Sequence, residues 1–326
     1  MFHLDAEDKS GLQDYMKQRT EDYSGVLLHV EKPGEGNMNY VLRVKTDAGS
    51  FIIKQARPYV EKYRQIAAPV ERAMVEASFY KCIQQDPILL GITPSLLWTD
   101  ENNNILAVED LGESGDYSNL YAGARITVHE INELLSFITQ LNNLTSNDKD
   151  PIFYNRTMRA LNHQHIFLYP FMEDNGFDLN NIQPGLQDIA TRYKTDTTLK
   201  EKIKQLGDIY LEDGDTLLHG DFYPGSWLRT ASGIKVIDPE FCFYGPAVFD
   251  IAIMTAHCML SQQDENTLDM LSSYVADNKN FNAKLYKQFT GVEIMRRLIG
   301  LAQLPLHLSL ETKEKLLTTA ASLIAA

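Results

Sequence analysis

The tightest constraint on this chain is a pair of apolar runs that each end in a carboxylate. Leu217-Leu218 leads into His219-Gly220-Asp221, and Ile234-Lys235-Val236-Ile237 leads into Asp238-Pro239-Glu240. Asp238 lies 17 residues beyond Asp221. Both runs read as short buried strands. A carboxylate at the end of such a strand is costly unless a partner receives it, so two of them on neighbouring loops predict a metal or a proton-transfer task. Phosphoryl transfer needs both roles: one carboxylate orients the attacking hydroxyl and accepts its proton, and another holds Mg²⁺ against the nucleotide phosphates. This pattern assigns the first role to Asp221 and the second to Asp238, with Glu240 supplying further metal oxygens.

The surrounding organisation changes character part-way along the chain. Val26–Val30, Tyr40–Val44 and Phe51–Lys54 are β-rich runs separated by Pro33-Gly34-Glu35-Gly36 and Asp47-Ala48-Gly49, which predicts an antiparallel meander. A helix is expected over Ala67–Gln84, then two more strands at Ser95–Trp98 and Ile105–Glu109 around the Asn102-Asn103-Asn104 turn. Beyond Gly112 the pattern is mainly helical. Thr127 and Glu130 form a capping box, and Ile131, Leu134, Leu135, Ile138 and Leu141 keep a helical period behind it. Further helices are expected near Leu186–Leu211, Ala247–Leu260, Ala283–Leu304 and the C-terminus. The fold class is therefore α+β and bilobal: a small antiparallel-sheet lobe over residues 1–111 and a larger, mainly helical lobe over 112–326. A ligand site is expected in the cleft between such lobes.

Composition narrows the partners. A net charge of −14 disfavours nucleic acid and anionic membrane surfaces. The three cysteines show no Cys-x-x-Cys spacing, and an odd, sparse set fits a reducing compartment. The first ten residues lack a signal peptide's basic start and apolar core, and the longest apolar runs are too short to span a bilayer. The expectation is a cytoplasmic protein with a small-molecule partner and neither nucleic acid nor membrane; the sequence leaves a homodimer open. No Gly-x-x-x-x-Gly-Lys-[Ser/Thr] motif and no Gly-x-Ser-x-Gly context occur, which excludes a P-loop fold and gives no support to a serine hydrolase.

A nucleotide needs a local cation in so acidic a chain. Lys54 sits beside Ile52 and Ile53, and a lysine there either points outward or reaches into a cleft. Glu76 follows 22 residues later on the expected helix, and a lysine–glutamate pair that positions the α- and β-phosphates is the kinase arrangement. Gly34 and Gly36 lie in a turn between strands, where glycine lets backbone N–H groups approach phosphate. Taken alone that turn also reads as an ordinary hairpin.

Together these segments resemble the aminoglycoside-phosphotransferase and choline-kinase superfamily, and within it methylthioribose kinase. His219-Gly220-Asp221 looks like its catalytic loop, and Asp238-Pro239-Glu240-Phe241 with Phe249-Asp250 like its metal segment. Gly34-Glu35-Gly36-Asn37-Met38-Asn39-Tyr40 is similar to its phosphate loop, Phe51–Ala56 to its lysine strand and Arg296-Arg297-Leu298-Ile299-Gly300 to its twin-arginine helix. The resemblance runs from about position 30 to position 302. It implies a protein-kinase-like fold and the cofactors ATP and Mg²⁺. It implies nucleotide contacts at Gly34, Gly36, Asn37, Asn39, Lys54 and Glu76, with backbone groups of Glu109 and Leu111 holding adenine. It also implies substrate contacts from Arg296 and Arg297, whose planar donors suit oxygens in pairs. The implied reaction is transfer of the ATP γ-phosphate to a sugar-like hydroxyl, with 5-methylthioribose first. Aminoglycoside, choline or homoserine acceptors are alternatives, and a non-catalytic nucleotide-binding pseudokinase is a third. Ser226 stands where protein kinases and many relatives place a metal-binding Asn; methylthioribose kinases look like this chain there, with Glu240 compensating. The chain departs from that family at Phe222-Tyr223-Pro224, where Leu-His-Thr is commoner.

Overall fold

The computed structural model describes residues 2–18, 25–34, 38–144 and 149–326. The chain divides into two compact units, and neither is a single stretch of sequence: residues 1–114 join 235–241 in the first, and 115–234 join 242–326 in the second.

The first unit is built on a five-stranded antiparallel sheet. Its strands are β1 (Leu27–Glu31), β2 (Tyr40–Thr46), β3 (Gly49–Gln55), β6 (Leu96–Asp100) and β7 (Ile105–Glu109), in the order β1-β2-β3-β7-β6. Between β3 and β6 come a small hairpin, β4 (Tyr59–Val60) with β5 (Tyr63–Ala67), and the helices α2 (Arg72–Ile83) and α3 (Pro87–Ile92). Alternation sorts the two faces of the sheet. Tyr40, Leu42, Val44, Phe51, Ile53, Ile105 and Ala107 form one core with Leu12, Tyr15 and Met16 of the N-terminal helix α1 (Lys9–Lys17). Lys54 therefore faces the other way, opposite Leu106, on the side where α2 packs.

Sequence periodicity placed the start of α2 too early. Residues 63–67 are a strand, and the helix begins only at Arg72, after Pro69. Proline biases the residue before it toward extended backbone, which here holds Ala68 out of the helix.

The second unit is mainly helical, with short strand pairs. Its helices are α4 (Val128–Asn142), α5 (Arg156–His163), α6 (Leu186–Lys194), α7 (Thr197–Leu211), α8 (Phe249–Leu260), α9 (Glu265–Asp277), α10 (Ala283–Ile299) and α11 (Leu310–Ala325). The capping box at Thr127 and Glu130 is formed, and Ile131, Leu134, Leu135, Ile138 and Leu141 are buried behind it. The single helix expected over 186–211 is two, because the Asp196 carboxylate accepts the Leu199 N–H and starts a new helix. The helix expected to reach Leu304 stops at Ile299, before Gly300.

The strands of this unit carry the loops of interest. β9 (Thr216–Leu218) pairs antiparallel with β12 (Phe243–Gly245), and β10 (Trp227–Thr230) with β8 (Gly115–Asp116). β11 (Gly233–Val236) borders β10, and along it the chain passes into the first unit. No helix among the described residues is long and apolar enough to cross a membrane.

Candidate active site

Two polar clusters collect expected site residues: Lys54, Glu76, Asp238, Glu240 and Asn39 in the first unit, and Asp221, Arg296 and Arg297 in the second. In the first unit, Lys54 Nζ donates to Glu76 Oε1 at 2.6 Å and to Asp238 Oδ1. Burial alone would lower the lysine's affinity for its proton, but the Asp238 and Glu76 carboxylates hold it well above its ordinary value, so it is an ammonium. Burial raises Glu76 against the pull of Lys54. Its second oxygen, Glu76 Oε2, is buried and without a hydrogen-bond partner among the described residues. Asp238 differs from both: its side chain is 45% exposed, and its backbone sits at φ +62°, uncommon for a residue with a side chain.

The neighbouring knot centres on Arg72, one turn before Glu76 on the same face of α2. It is fully buried. Arg72 Nε donates to Asn39 Oδ1 at 2.9 Å and lies 3.2 Å from Glu240 Oε2, while Asn39 Nδ2 donates to that same oxygen at 2.9 Å. Its outer nitrogens donate to the carbonyls of Met38, Arg57 and Pro69. Burial pushes the Glu240 carboxyl up to about 8, against the pull of Arg72. The structure thus gives Asn39 and Glu240 partners in this knot, two residues from Asp238. Sequence reasoning assigned no role to Arg72 itself; its spacing of four from Glu76 was the available signal.

Gly34 is described, in a bend, whereas Gly36 and Asn37 lie outside the described residues. The Glu109 N–H donates to the Ser95 carbonyl at 2.9 Å, and its side chain accepts the Ser95 N–H. Leu111 follows in non-repetitive backbone that Arg43 secures, donating to the Asp110 carboxylate and to the Gly112 carbonyl.

In the second unit, β9 ends at the His219-Gly220-Asp221 loop. Asp250, fully buried in the first turn of α8, accepts the His219 N–H at 2.7 Å and the Gly220 N–H at 3.0 Å. Gly220 has φ +82°, a conformation that favours glycine and lets the loop turn back over both amides. Burial raises the Asp250 carboxyl to about 7, against the pull of those two donors. Phe222 pins the loop from below, stacked on Phe137 at 5.4 Å. Ser226 donates its hydroxyl to the Asp221 carbonyl at 2.8 Å and so braces the loop.

Asp221 itself is part-exposed, and a terminal nitrogen of each twin arginine approaches its Oδ1, at 4.0 Å for Arg296 and 3.9 Å for Arg297. Both arginines are buried along α10. Two further residues that sequence reasoning passed over stand behind them, Glu293 and His257.

Residues 134–276 match the model of the phosphotransferase enzyme family. That segment is similar to the phosphotransferase domains of this family. Methylthioribose kinase from Bacillus cereus (strain B4264) is 27% identical over 342 aligned positions, covering 90% of this chain and 84% of that protein. Methylthioribose kinase from Exiguobacterium sibiricum is also 27% identical, over 83% of this chain and 79% of its own. Among solved structures, choline kinase from Streptococcus pneumoniae superposes with a TM-score of 0.53 at 13% identity, covering 98% of this chain and 99% of that one. A spectinomycin phosphotransferase in complex with ADP and spectinomycin gives 0.55, also at 13% identity, over 100% and 99%. The phosphotransferase fold therefore extends over the whole chain, and the enzyme is an ATP-dependent small-molecule kinase.

The donors present suit a magnesium ion that arrives with its nucleotide. Among the described residues no group of three or more His, Cys, Asp or Glu side chains forms a metal cage. Mg²⁺ is commonly held by one or two carboxylates together with substrate phosphates and water, and the part-exposed Asp238 beside the Lys54 ammonium offers such a carboxylate.

Proposed function

We propose that the enzyme transfers the γ-phosphate of ATP to a hydroxyl of 5-methylthioribose or a near relative of that sugar. The observation that carries the reading is the Lys54 ammonium clasped by Glu76 and Asp238 in a buried polar pocket of the first unit. It is the arrangement by which kinases fix the nucleotide phosphates. The choice of acceptor follows the curated relatives, which are named for methylthioribose, and the twin arginines beside Asp221.

In this mechanism Lys54, aligned by Glu76, binds phosphate oxygens, and Asp238 would hold Mg²⁺, which would neutralise charge on the phosphates. Glu240 adds a second carboxylate to that segment, braced by Arg72 and Asn39. Gly34 and Asn39 flank the phosphates, and the backbone at Glu109 and Leu111 holds the base. Asp221 orients the acceptor hydroxyl and takes its proton as the oxygen bonds to the γ-phosphorus; the bond to the β–γ bridging oxygen breaks and ADP leaves. Arg296 and Arg297 bind acceptor oxygens beside Asp221. Positioning and charge neutralisation supply most of the acceleration.

The test is ADP release from Mg-ATP with methylthioribose, and with ribose, choline, homoserine and kanamycin in parallel. Methylthioribose should be the best acceptor, and Asp221→Asn should lower turnover by about 100-fold or more while nucleotide binding persists. Full turnover by Asp221→Asn would refute the mechanism, and a clear preference for another acceptor would refute the substrate.

A further inference from the structure

The twin arginines share one carboxylate. Glu293 lies three and four residues before them in α10, so all three side chains emerge on one face. It is fully buried. Arg296 Nε donates to its Oε2, and Arg297 Nε donates to its Oε1 at 2.7 Å. Nε is the guanidinium nitrogen nearest the stem. Each planar group is therefore held by its inner edge; Nη1 of Arg297 donates to the Ala302 carbonyl at 3.4 Å, and Nη2 of both arginines converges near Asp221.

A buttress stands behind the carboxylate. His257 Nε2 lies 3.0 Å from Glu293 Oε1, and Tyr121 Oη lies 2.6 Å from His257 Nδ1. A carboxylate only accepts, so Nε2 carries the proton and Nδ1 accepts from the tyrosine hydroxyl. Burial pushes the imidazole down to about 4, so it is neutral at physiological pH. From the loop side, the Arg297 guanidinium lies over the Tyr223 ring at 4.9 Å.

The charges close. Arg296 and Arg297 contribute +2, and Glu293 with Asp221 contributes −2. Burial opposes the Glu293 charge, but the two arginines hold its carboxyl well below the usual range. The next carboxylate, Asp250, is engaged by backbone amides. Two arginines on their own would make a phosphate trap; with Glu293 beneath them and Asp221 before them they become a set of aimed donors with no surplus charge.

We propose that Glu293 is the positioning residue of the acceptor site. It fixes both guanidiniums by their inner edges and cancels their excess charge, so the site prefers an uncharged polyol to an anionic sugar. The proposal rests on the assignment of Asp221, Arg296 and Arg297 to the acceptor. It is tested by calorimetric binding of methylthioribose and of ribose 5-phosphate to the full chain without nucleotide. The proteins compared are wild type, Glu293→Gln, Asp221→Asn and Tyr121→Phe, with circular dichroism as the check on folding. Wild type should prefer methylthioribose. Glu293→Gln should move the ratio of dissociation constants toward the phosphate by about tenfold or more. Asp221→Asn removes the same charge without touching the buried knot and should move the ratio the same way. Tyr121→Phe loosens the buttress without changing charge, so it should weaken both ligands about threefold and leave the ratio alone. If Glu293→Gln does not fold, the last two variants decide. A folded Glu293→Gln within twofold of the wild-type ratio overturns the proposal, as does an unchanged ratio in Asp221→Asn. Wild type that binds neither sugar overturns the acceptor assignment, and the proposal with it.

Discussion

Replacing Asp250 with asparagine should loosen the His219-Gly220-Asp221 loop at its anchor. The carboxylate receives two backbone amides, from His219 at 2.7 Å and Gly220 at 3.0 Å, and is fully buried. Asparagine has one acceptor oxygen, so it keeps one amide and turns its own N–H₂ against the other. A hydrogen bond to a charged group contributes about 1.5–3 kcal/mol, and a buried donor left unmatched costs a further 1–3 kcal/mol or so. Removing a buried charge returns part of this, since burial already raises that carboxyl to about 7. The net expectation is about 2 kcal/mol of destabilisation. With a urea dependence of about 3 kcal/mol per molar, the unfolding midpoint falls by roughly 0.7 M. Turnover of the folded variant should drop about 100-fold, because Asp221 follows directly on the clamped amides and small misplacements are amplified in rate. Urea titration followed by circular dichroism, with initial rates in buffer, reads both quantities. A midpoint shift below about 0.2 M with wild-type turnover would show that the two amides do not hold the loop.

Three further outcomes are expected. Lys54→Met should raise the KM for ATP about tenfold or more and leave that for the acceptor nearly unchanged, read by initial rates with each substrate varied. Asp238→Asn should weaken Mg-nucleotide binding by a similar factor while metal-free nucleotide binds almost as before, read by calorimetry with and without Mg²⁺. The third concerns pH. His257 stays neutral in the fold down to about 4, whereas in the unfolded chain it takes a proton near 6.5. The unfolded state thus binds more protons in that window, and stability falls as pH drops through it. About 1.4 kcal/mol should be lost between pH 7.5 and 5.5, and comparison of urea midpoints should show that part of the loss absent in His257→Gln.

Local signals were legible in the sequence and long-range ones were not. The strand Ile105–Glu109 and the capping box at Thr127 and Glu130 follow from alternation and from a three-residue spacing, and both are present. The break between α6 and α7 was hidden because the apolar period runs through it; Asp196 was the signal, an N-cap residue inside an otherwise helical pattern. The pairs β4–β5 and β9–β12 rest on strands of two to five residues, too short for periodicity to register. Among the charged groups, Lys54 and Glu76 could be matched because each lies on its own predicted element. Glu293 was within reach of the same reasoning, since a glutamate three and four residues before two arginines must share their helical face. His257 was not: its contact with Tyr121 spans 136 residues, and a lone histidine in an apolar helix gives no direction.

The return of residues 235–241 to the first unit sets an order on biosynthesis. A ribosome that has released residues 1–114 has made every strand of the five-stranded sheet, yet neither Asp238 nor Glu240 exists. Until they do, Lys54 lacks Asp238 and Arg72 lacks Glu240, the carboxylate that balances its buried charge, although its hydrogen bonds to Asn39 and to the Met38, Arg57 and Pro69 carbonyls can already form. The nascent sheet must therefore wait, incompletely packed around α2, while more than a hundred residues of the helical unit are translated. The segment that completes the polar interior of the first unit is also the one that brings Asp238, the carboxylate proposed to hold Mg²⁺, so that carboxylate and a settled first unit arrive in the same few codons.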